Sequence, residues 1–313
     1  MIRVLTWTVF GLFILGCIFE LRADAERTSL SQIWRARGVL PIAIGLSLLN
    51  YALRILRWRC YLLRLGHSVQ AWFVVLTYLA GFAFTLSPGK LGEVIRARYY
   101  TVRGIPLSHM TGMFIMERSM DLLAVCALAA LLLLMVPQYT SVYVTTLWVT
   151  GGLVTLLAVL PWDRLVQNAS DIAWIPGFLT RATTGIAATV RSARALLGFR
   201  LVMTGFLLGV AAWTAEGVGL GILSSVFPSP HLDPPLAVGI YSVAVLAGAL
   251  SFLPGGLGST EAVMTALLVT RGYALPDAAF ITLACRIVTL WLAIGLGWIA
   301  VLALRGRTEW GAP

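Results

Sequence analysis

Ser87-Pro88-Gly89-Lys90-Leu91-Gly92 recurs 166 residues later as Leu253-Pro254-Gly255-Gly256-Leu257-Gly258. At the same offset Asn50 aligns with Glu216, each inside an apolar segment. An Arg-Gly pair follows each motif (Arg103-Gly104, Arg271-Gly272), and fifteen residues past each pair an arginine stands in an apolar run, Arg118 and Arg286. Four matches in the same order read as an internal duplication. In a chain this apolar, a duplication with interrupted helices points to a membrane transporter.

Composition sets the class. The 313 residues are 59% hydrophobic and 12% charged, with a mean hydropathy of +0.89, against roughly 25% charged in a soluble domain. Apolar runs of 18 or more residues predict a polytopic α-helical membrane protein rather than a β-barrel, which would show short alternating segments. No stretch is long and polar enough for a separate soluble domain. Residues 1–313 therefore read as one integral membrane domain, with repeat halves at about 1–136 and 142–304. Net charge is +10, and every basic residue but Lys90 is arginine. Such an excess obeys the positive-inside rule and also suits an anionic lipid. Basic-aromatic interleaving for nucleic acid is absent. Cys17, Cys60, Cys126 and Cys285 are scattered without a C-x-x-C, and His67, His109 and His231 read as isolated, so neither a metal site nor any other cofactor is expected.

Six spanning helices are expected, at about 4–21, 39–58, 112–136, 142–160, 200–226 and 279–304. The first mimics a signal peptide ending at Ala23-Asp24-Ala25, but its removal would spoil the duplication. Two further apolar segments, 71–103 and 236–270, are interrupted at their Pro-Gly motifs. Backbone freed there cannot face lipid, so both read as re-entrant hairpins, with kinked spanning helices as the alternative. Leu179, Ile186, Val190 and Leu197 form a stripe on 178–198, with Arg181, Arg191 and Arg194 off it, which fits a helix lying on the membrane surface. Placing both termini in the cytoplasm puts 15 basic residues inside and five outside. Three crossings per half is an odd number, so the second half would insert upside down. The first hairpin would then enter from the cytoplasm and the second from the opposite side.

The motif residues have a chemistry of their own. A helix starting at a Pro-Gly break presents unpaired N–H groups and the positive end of its dipole, an anion site. Ser87 is placed to cap the first such helix, with Pro88 in its first turn and Lys90 adding charge. Ser259 or Thr260 would cap the second, with Glu261 in its first turn. Ionisable groups inside spans are costly and mark function. Here they are Arg54, Glu93, Arg96, Glu117, Arg118, Asp121, Glu216, Glu261 and Arg286. Glu117, Arg118 and Asp121 share one region of a helix surface and need another cation, from Arg96 or Arg286. They would form either a static network or a phosphate site. Glu216 is the lone charge of its span and the candidate for proton coupling.

The same residues resemble a known family. Pro88-Gly89-Lys90-Leu91-Gly92-Glu93-Val94-Ile95-Arg96 is similar to the P-G-[RK]-x-G-E-x-x-R signature of the lysylphosphatidylglycerol synthase transmembrane-region family, the flippase-like membrane proteins. Glu117-Arg118-Ser119-Met120-Asp121-Leu122-Leu123 resembles its E-R-x-x-D-L-x element. Pro254-Gly255-Gly256-Leu257-Gly258 followed by Glu261 resembles its P-G-G-x-G-x-x-E element, and Arg57-Trp58-Arg59 its R-W-x tract. The resemblance implies translocation of an anionic or glycosylated lipid between leaflets of a bacterial inner membrane, some relatives being tied to hopanoid or glycosyl-phosphoprenol pathways. Larger members add an aminoacyl-lipid synthase domain; none is visible in these 313 residues, so synthase activity is not expected. The lipid headgroup would be held by Ser87, Pro88, Gly89, Lys90, Gly92, Glu93, Arg96, Glu117, Arg118, Asp121, Gly255, Gly256, Gly258, Glu261 and Arg286. Two alternatives are an intramembrane headgroup-modifying enzyme using Glu93, Glu117 or Asp121, and a scaffold for a partner lipid-synthesis enzyme. Lipid identity, direction, coupling ion and oligomeric state are not encoded in any recognisable motif.

Overall fold

The computed structural model describes residues 37–87, 95–133, 177–227, 230–251 and 253–305, with single positions 144, 148 and 152. Among the described residues the chain is helical throughout. In the first half, α1 (Leu40–Arg64) is followed by α2 (Ala71–Phe82), a short α3 (Ala97–Thr101) and α4 (Leu107–Leu133). α5 (Gly177–Ala195) joins the halves. The second half runs through α6 (Phe199–Ser224), α7 (Pro234–Leu250), a 3-10 turn (Pro254–Gly256) and α8 (Ser259–Thr270). It closes with α9 (Leu275–Arg286), a π-helical turn (Ile287–Trp291) and α10 (Leu292–Arg305). The expected spans 4–21 and 142–160 lie outside the described residues, apart from the single positions.

Leu40–Arg64, Phe199–Ser224 and the continuous Leu275–Arg305 are long and apolar enough to cross a membrane. At 1.5 Å per residue, 25 residues reach about 37 Å, beyond a hydrocarbon core of about 30 Å. Pro41 sits in the first turn of α1, where its missing N–H costs nothing. Ile42, Leu48, Leu49, Leu56 and Leu63 on α1 are exposed large apolar side chains. A continuous row of that kind suits lipid better than water. α4 is as long as these helices but carries Glu117, Arg118 and Asp121 in its middle. Those charges are tolerated because the helix is wrapped by α5, α6 and α7.

The elements after the two Pro-Gly motifs end and pack in comparable ways. α3 and α8, which follow the two Pro-Gly motifs, stop in the same way. Gly104 (φ +77°) and Gly272 (φ +94°) adopt the left-handed conformation. Gly104 N–H donates to Thr101 O (3.0 Å) and Ile105 N–H to Tyr100 O (3.2 Å). Gly272 N–H donates to Val269 O (2.9 Å) and Tyr273 N–H to Leu268 O (3.3 Å). Both are Schellman ends, which a Cβ would strain. The repeated Arg-Gly pairs are thus equivalent helix stops. Packing partners also exchange between the halves: α1 lies against α6, while α2 packs on α10 and its counterpart α7 packs on α4. The core follows this layout, with one large cluster among α4, α6, α7 and α9 and a second between α1, α2 and the start of α4.

Several expectations change in detail. α1 continues past the expected end at 58 to Arg64, and Arg57, one of the 15 basic residues counted on the inner side, is buried well within it. α5 is found over 177–195, but its buried side is Ala187, Val190 and Ala193, while Ile186 is exposed. The burial stripe is rotated because α5 packs closely on α4: Thr111 and Thr189 hydroxyls are 2.9 Å apart, and a Cβ on Gly112 would stand 2.8 Å from the Ser192 Cβ. His67 and His109 are not isolated; their ring nitrogens are 2.7 Å apart. Burial, and then the neighbouring His109 ring, hold the His67 pKa below its ordinary value.

Candidate functional site

Glu117 and Asp121, one turn apart on α4, gather arginines from three directions. Arg54 and Arg57, three apart on α1 and so on one face, reach both carboxylates. Arg57 Nη2 lies 2.5 Å from Asp121 Oδ1 and 3.7 Å from Glu117 Oε1. Arg54 Nη2 lies 3.5 Å from Asp121 Oδ2 and 3.9 Å from Glu117 Oε1. Arg118 on α4 approaches Asp121 Oδ2 at 2.9 Å and Glu117 Oε1 at 3.4 Å. Arg96, just before α3, pairs with Glu117, which also accepts from the Tyr78 hydroxyl of α2. Trp213 Nε1 of α6 donates to Asp121 Oδ1 at 3.3 Å.

Among the described residues, four guanidinium groups surround these two carboxylates. Arg54, Arg57, Arg96, Glu117 and Asp121 are all buried, and only Arg118, with 22% of its side chain exposed, has appreciable access. Aromatic faces flank two of these arginines. Arg96 stacks 3.8 Å over the Trp58 ring and 4.6 Å from Tyr78, and Arg54 lies 5.3 Å from Phe82 and 5.7 Å from Trp213. Such contacts stabilise by about 2 kcal/mol when desolvated.

The second half builds a smaller site. Arg286, the last residue of α9, pairs with Glu261 of α8, and its Nη2 donates to Gly255 O at 2.8 Å. That carbonyl is reachable because Gly255 (φ +62°) and Gly256 (φ +69°) turn the backbone at the break. α8 begins after Gly258 with no side-chain cap: Ser259 instead donates to Gly256 O (3.1 Å), and Ser251 and Ser259 hydroxyls meet at 2.8 Å. Ser259 and Thr260 therefore do not fill the capping role expected of them, because Gly258 occupies the position before the helix. Glu261 does stand in the first turn. On α6, Glu216 accepts from the Tyr241 hydroxyl of α7.

A cavity of about 310 Å³ lies between the two clusters. The first half contributes Arg54, Arg118 and Asp121 to its wall; the second contributes Glu216, Gly255, Gly256 and Arg286. Trp213, Phe82, Leu122, Leu246 and Leu290 supply aromatic and apolar wall. Of the residues singled out in the sequence, Glu117 and Arg96 stand behind the wall as supports, and Glu261 holds Arg286. Pro88, Gly89, Lys90, Gly92 and Glu93 lie outside the described residues. Ser87 is described, its N–H donating to Phe84 O at 3.1 Å. Sequence reasoning placed Arg57 in a connection and passed over Tyr78, Trp213 and Tyr241. The R-W-R tract carried a signal for Arg57, since Arg54 and Arg57 repeat at helical spacing. The aromatic residues carried none beyond their place in apolar helices. Arg96 supplies the extra cation that Glu117 and Asp121 required, whereas Arg286 serves the second half.

Residues 5–297 match the family described as the lysylphosphatidylglycerol synthase TM region. The chain belongs to this family. Its relatives include the inner membrane protein YbhN of Escherichia coli K12, 24% identical over 98% of this chain and 93% of that protein. A UPF0104 membrane protein of Methanothermobacter thermautotrophicus is 27% identical over 83% of this chain and 81% of its own length. With its apolar helices, this member of the family is a helical membrane protein. The family's E-R-x-x-D-L-x element is, in this chain, the carboxylate centre of the four-arginine cluster.

Proposed function

We propose that the chain moves a lipid with an anionic headgroup between the leaflets of a bacterial inner membrane, holding the headgroup in the cavity between its halves. The observation that carries this reading is the cluster of arginines, most of them buried, beside a cavity with aromatic and apolar walls. Buried charge is expensive, and an anion entering the cavity would meet Arg54, Arg118 and Arg286 in its wall. Both termini would be cytoplasmic, and the halves would form an inverted repeat of about six spans and two re-entrant hairpins. The exchanged packing of α2 on α10 and α7 on α4 supports such a relation. Rocking of one half against the other would then present the cavity to each leaflet in turn. An enzymatic reading is less favoured, because Glu117 and Asp121 are already engaged by several guanidinium groups each.

The test is reconstitution into liposomes with a tail-labelled anionic phospholipid, followed by quenching from outside. Wild-type protein should raise the rate of leaflet exchange, and Arg54→Ala and Arg118→Ala should abolish the gain. Unchanged rates in both variants would sink the reading. Glu216, in the same cavity, is the group through which a proton would accompany the lipid. A rate indifferent to an imposed proton gradient removes that role.

A further inference from the structure

The last span changes helix type in its middle. Between α9 and α10, Ile287–Trp291 form the π-helical turn, and Leu292 N–H donates to Ile287 O, five residues back instead of four. The turn lies within the continuous apolar run Leu275–Arg305, so hydropathy does not mark it. Its two flanks have different neighbours. α9 packs on α6 and α8, and its last residue, Arg286, is bound to Glu261 and to Gly255 O. α10 packs on α2, so closely that a Cβ on Gly297 would collide with the Ala83 backbone.

Both Pro-Gly motifs reach this turn. Leu86, immediately before the first motif, packs with Leu290, Trp291 and Ile294, and Leu257 of the second motif lies against the same group. A Cβ on Gly255 would stand 2.8 Å from Leu86 Cδ2 and 3.6 Å from Leu290 Cδ2. α1 reaches the turn as well, where the Tyr51 hydroxyl donates to Thr289 O at 2.6 Å. Thr289 Oγ1 in turn donates to Cys285 O at 2.8 Å. The turn is thus secured by two side-chain donors, one of them from another helix. A span fastened on each side to parts that move relative to one another must bend, and helices bend where their ladder is out of register. A π turn passes to α by moving one N–H to the carbonyl four residues back. Here Leu292 N–H would move from Ile287 O to Val288 O.

We propose that the π turn is the joint of the transport cycle and that Tyr51 is its latch. The turn lets the second motif, with α8 and α9, shift against α2 and α10. The bond from Tyr51 to Thr289 O holds it in the conformation described, and the shift requires that bond to open. This rests on the proposed rocking of one half against the other.

The experiment measures amide hydrogen exchange in detergent, by mass spectrometry, and leaflet exchange of a tail-labelled phosphatidylglycerol in liposomes. The proteins are wild type, Tyr51→Phe and a chain lacking Ile287. Tyr51→Phe keeps the ring beside Phe82 and removes only the hydroxyl. Amides 287–293 should then exchange about three- to tenfold faster, the worth of one hydrogen bond. Amides 277–286 should keep their rate, the melting temperature should stay near that of wild type, and leaflet exchange should rise. Ile287 is largely exposed, so its deletion shortens the turn without removing a core side chain. The shortened chain should protect 287–293 as strongly as the flanking helix and should lose leaflet exchange. Unchanged protection in Tyr51→Phe overturns the latch. Faster exchange along the whole chain with a lower melting temperature marks a merely structural bond and overturns it too. Leaflet exchange at the wild-type rate in the shortened chain overturns the joint. If the shortened chain does not melt cooperatively, Tyr51→Phe decides alone. If wild-type protein moves no lipid, the transport reading fails, and faster exchange confined to 287–293 in Tyr51→Phe still upholds the latch.

Discussion

In the first half four arginines crowd two carboxylates; in the second, Arg286 meets Glu261 and a backbone carbonyl. The two regions occupy equivalent places in the duplication, since Arg118 and Arg286 each follow an Arg-Gly helix stop by fifteen residues. Common backbone therefore carries unequal electrostatics. The first region holds its shape through many mutually dependent contacts among four arginines and two carboxylates. The second is nearly neutral and uses one side chain to fasten the break at Gly255 to α8 and α9. The proposed anion site therefore belongs to the first region, and a change at the break bears on the second.

Four substitutions or conditions probe this contrast, in descending order of effect. Glu117→Gln leaves four guanidinium groups facing one carboxylate, and breaking a buried pair costs about 3–5 kcal/mol. Thermal unfolding in detergent should show that loss, and Arg96→Met on the same background should restore part of it. A Glu117→Gln protein as stable as wild type would erase the distinction between the regions. Arg286→Gln should cost less, about 1.5–3 kcal/mol, the range for hydrogen bonds to charged groups. Its Glu261 partner is partly exposed and regains water. Proteolysis near 251–259 should increase in that variant, and no increase would mean that Arg286 does not fasten the break.

Gly104→Ala and Gly272→Ala test the shared frame. Each places a Cβ in the left-handed region at a cost of about 1–2 kcal/mol, and the two losses should agree. Widely different losses would deny that the helix stops are equivalent. Acidification should have the smallest effect. The folded state disfavours the proton on His67, so the unfolded chain binds more protons once the pH falls below the ordinary histidine value of about 6.5. Stability is thus full above that pH and declines below it, and His67→Gln should remove this part of the decline.

The sequence was readable where the backbone is forced. Proline and glycine located the break at 254–258, and Arg-Gly located both helix ends, because those residues alter local conformation wherever they stand. Glu117, Arg118 and Asp121 announced a centre by helical spacing. Contacts made across helices were not readable. Arg57 stood in a basic tract that resembles a cytoplasmic flank, and only the packing of α1 against α4 and α6 makes it interior. Tyr78, Trp213 and Tyr241 looked like ordinary apolar filling, although each turns a polar atom towards a carboxylate. Ile186 followed the expected stripe on α5 and is exposed nonetheless, because the neighbouring helix, not hydropathy alone, decides which side is covered.

Asn50 and Glu216 show what duplication makes possible. Asn50 Nδ2 donates to Ala212 O at 2.8 Å, stitching α1 to α6 one turn before Glu216. The two matched positions serve different ends, a rivet at Asn50 and a face of the chamber at Glu216.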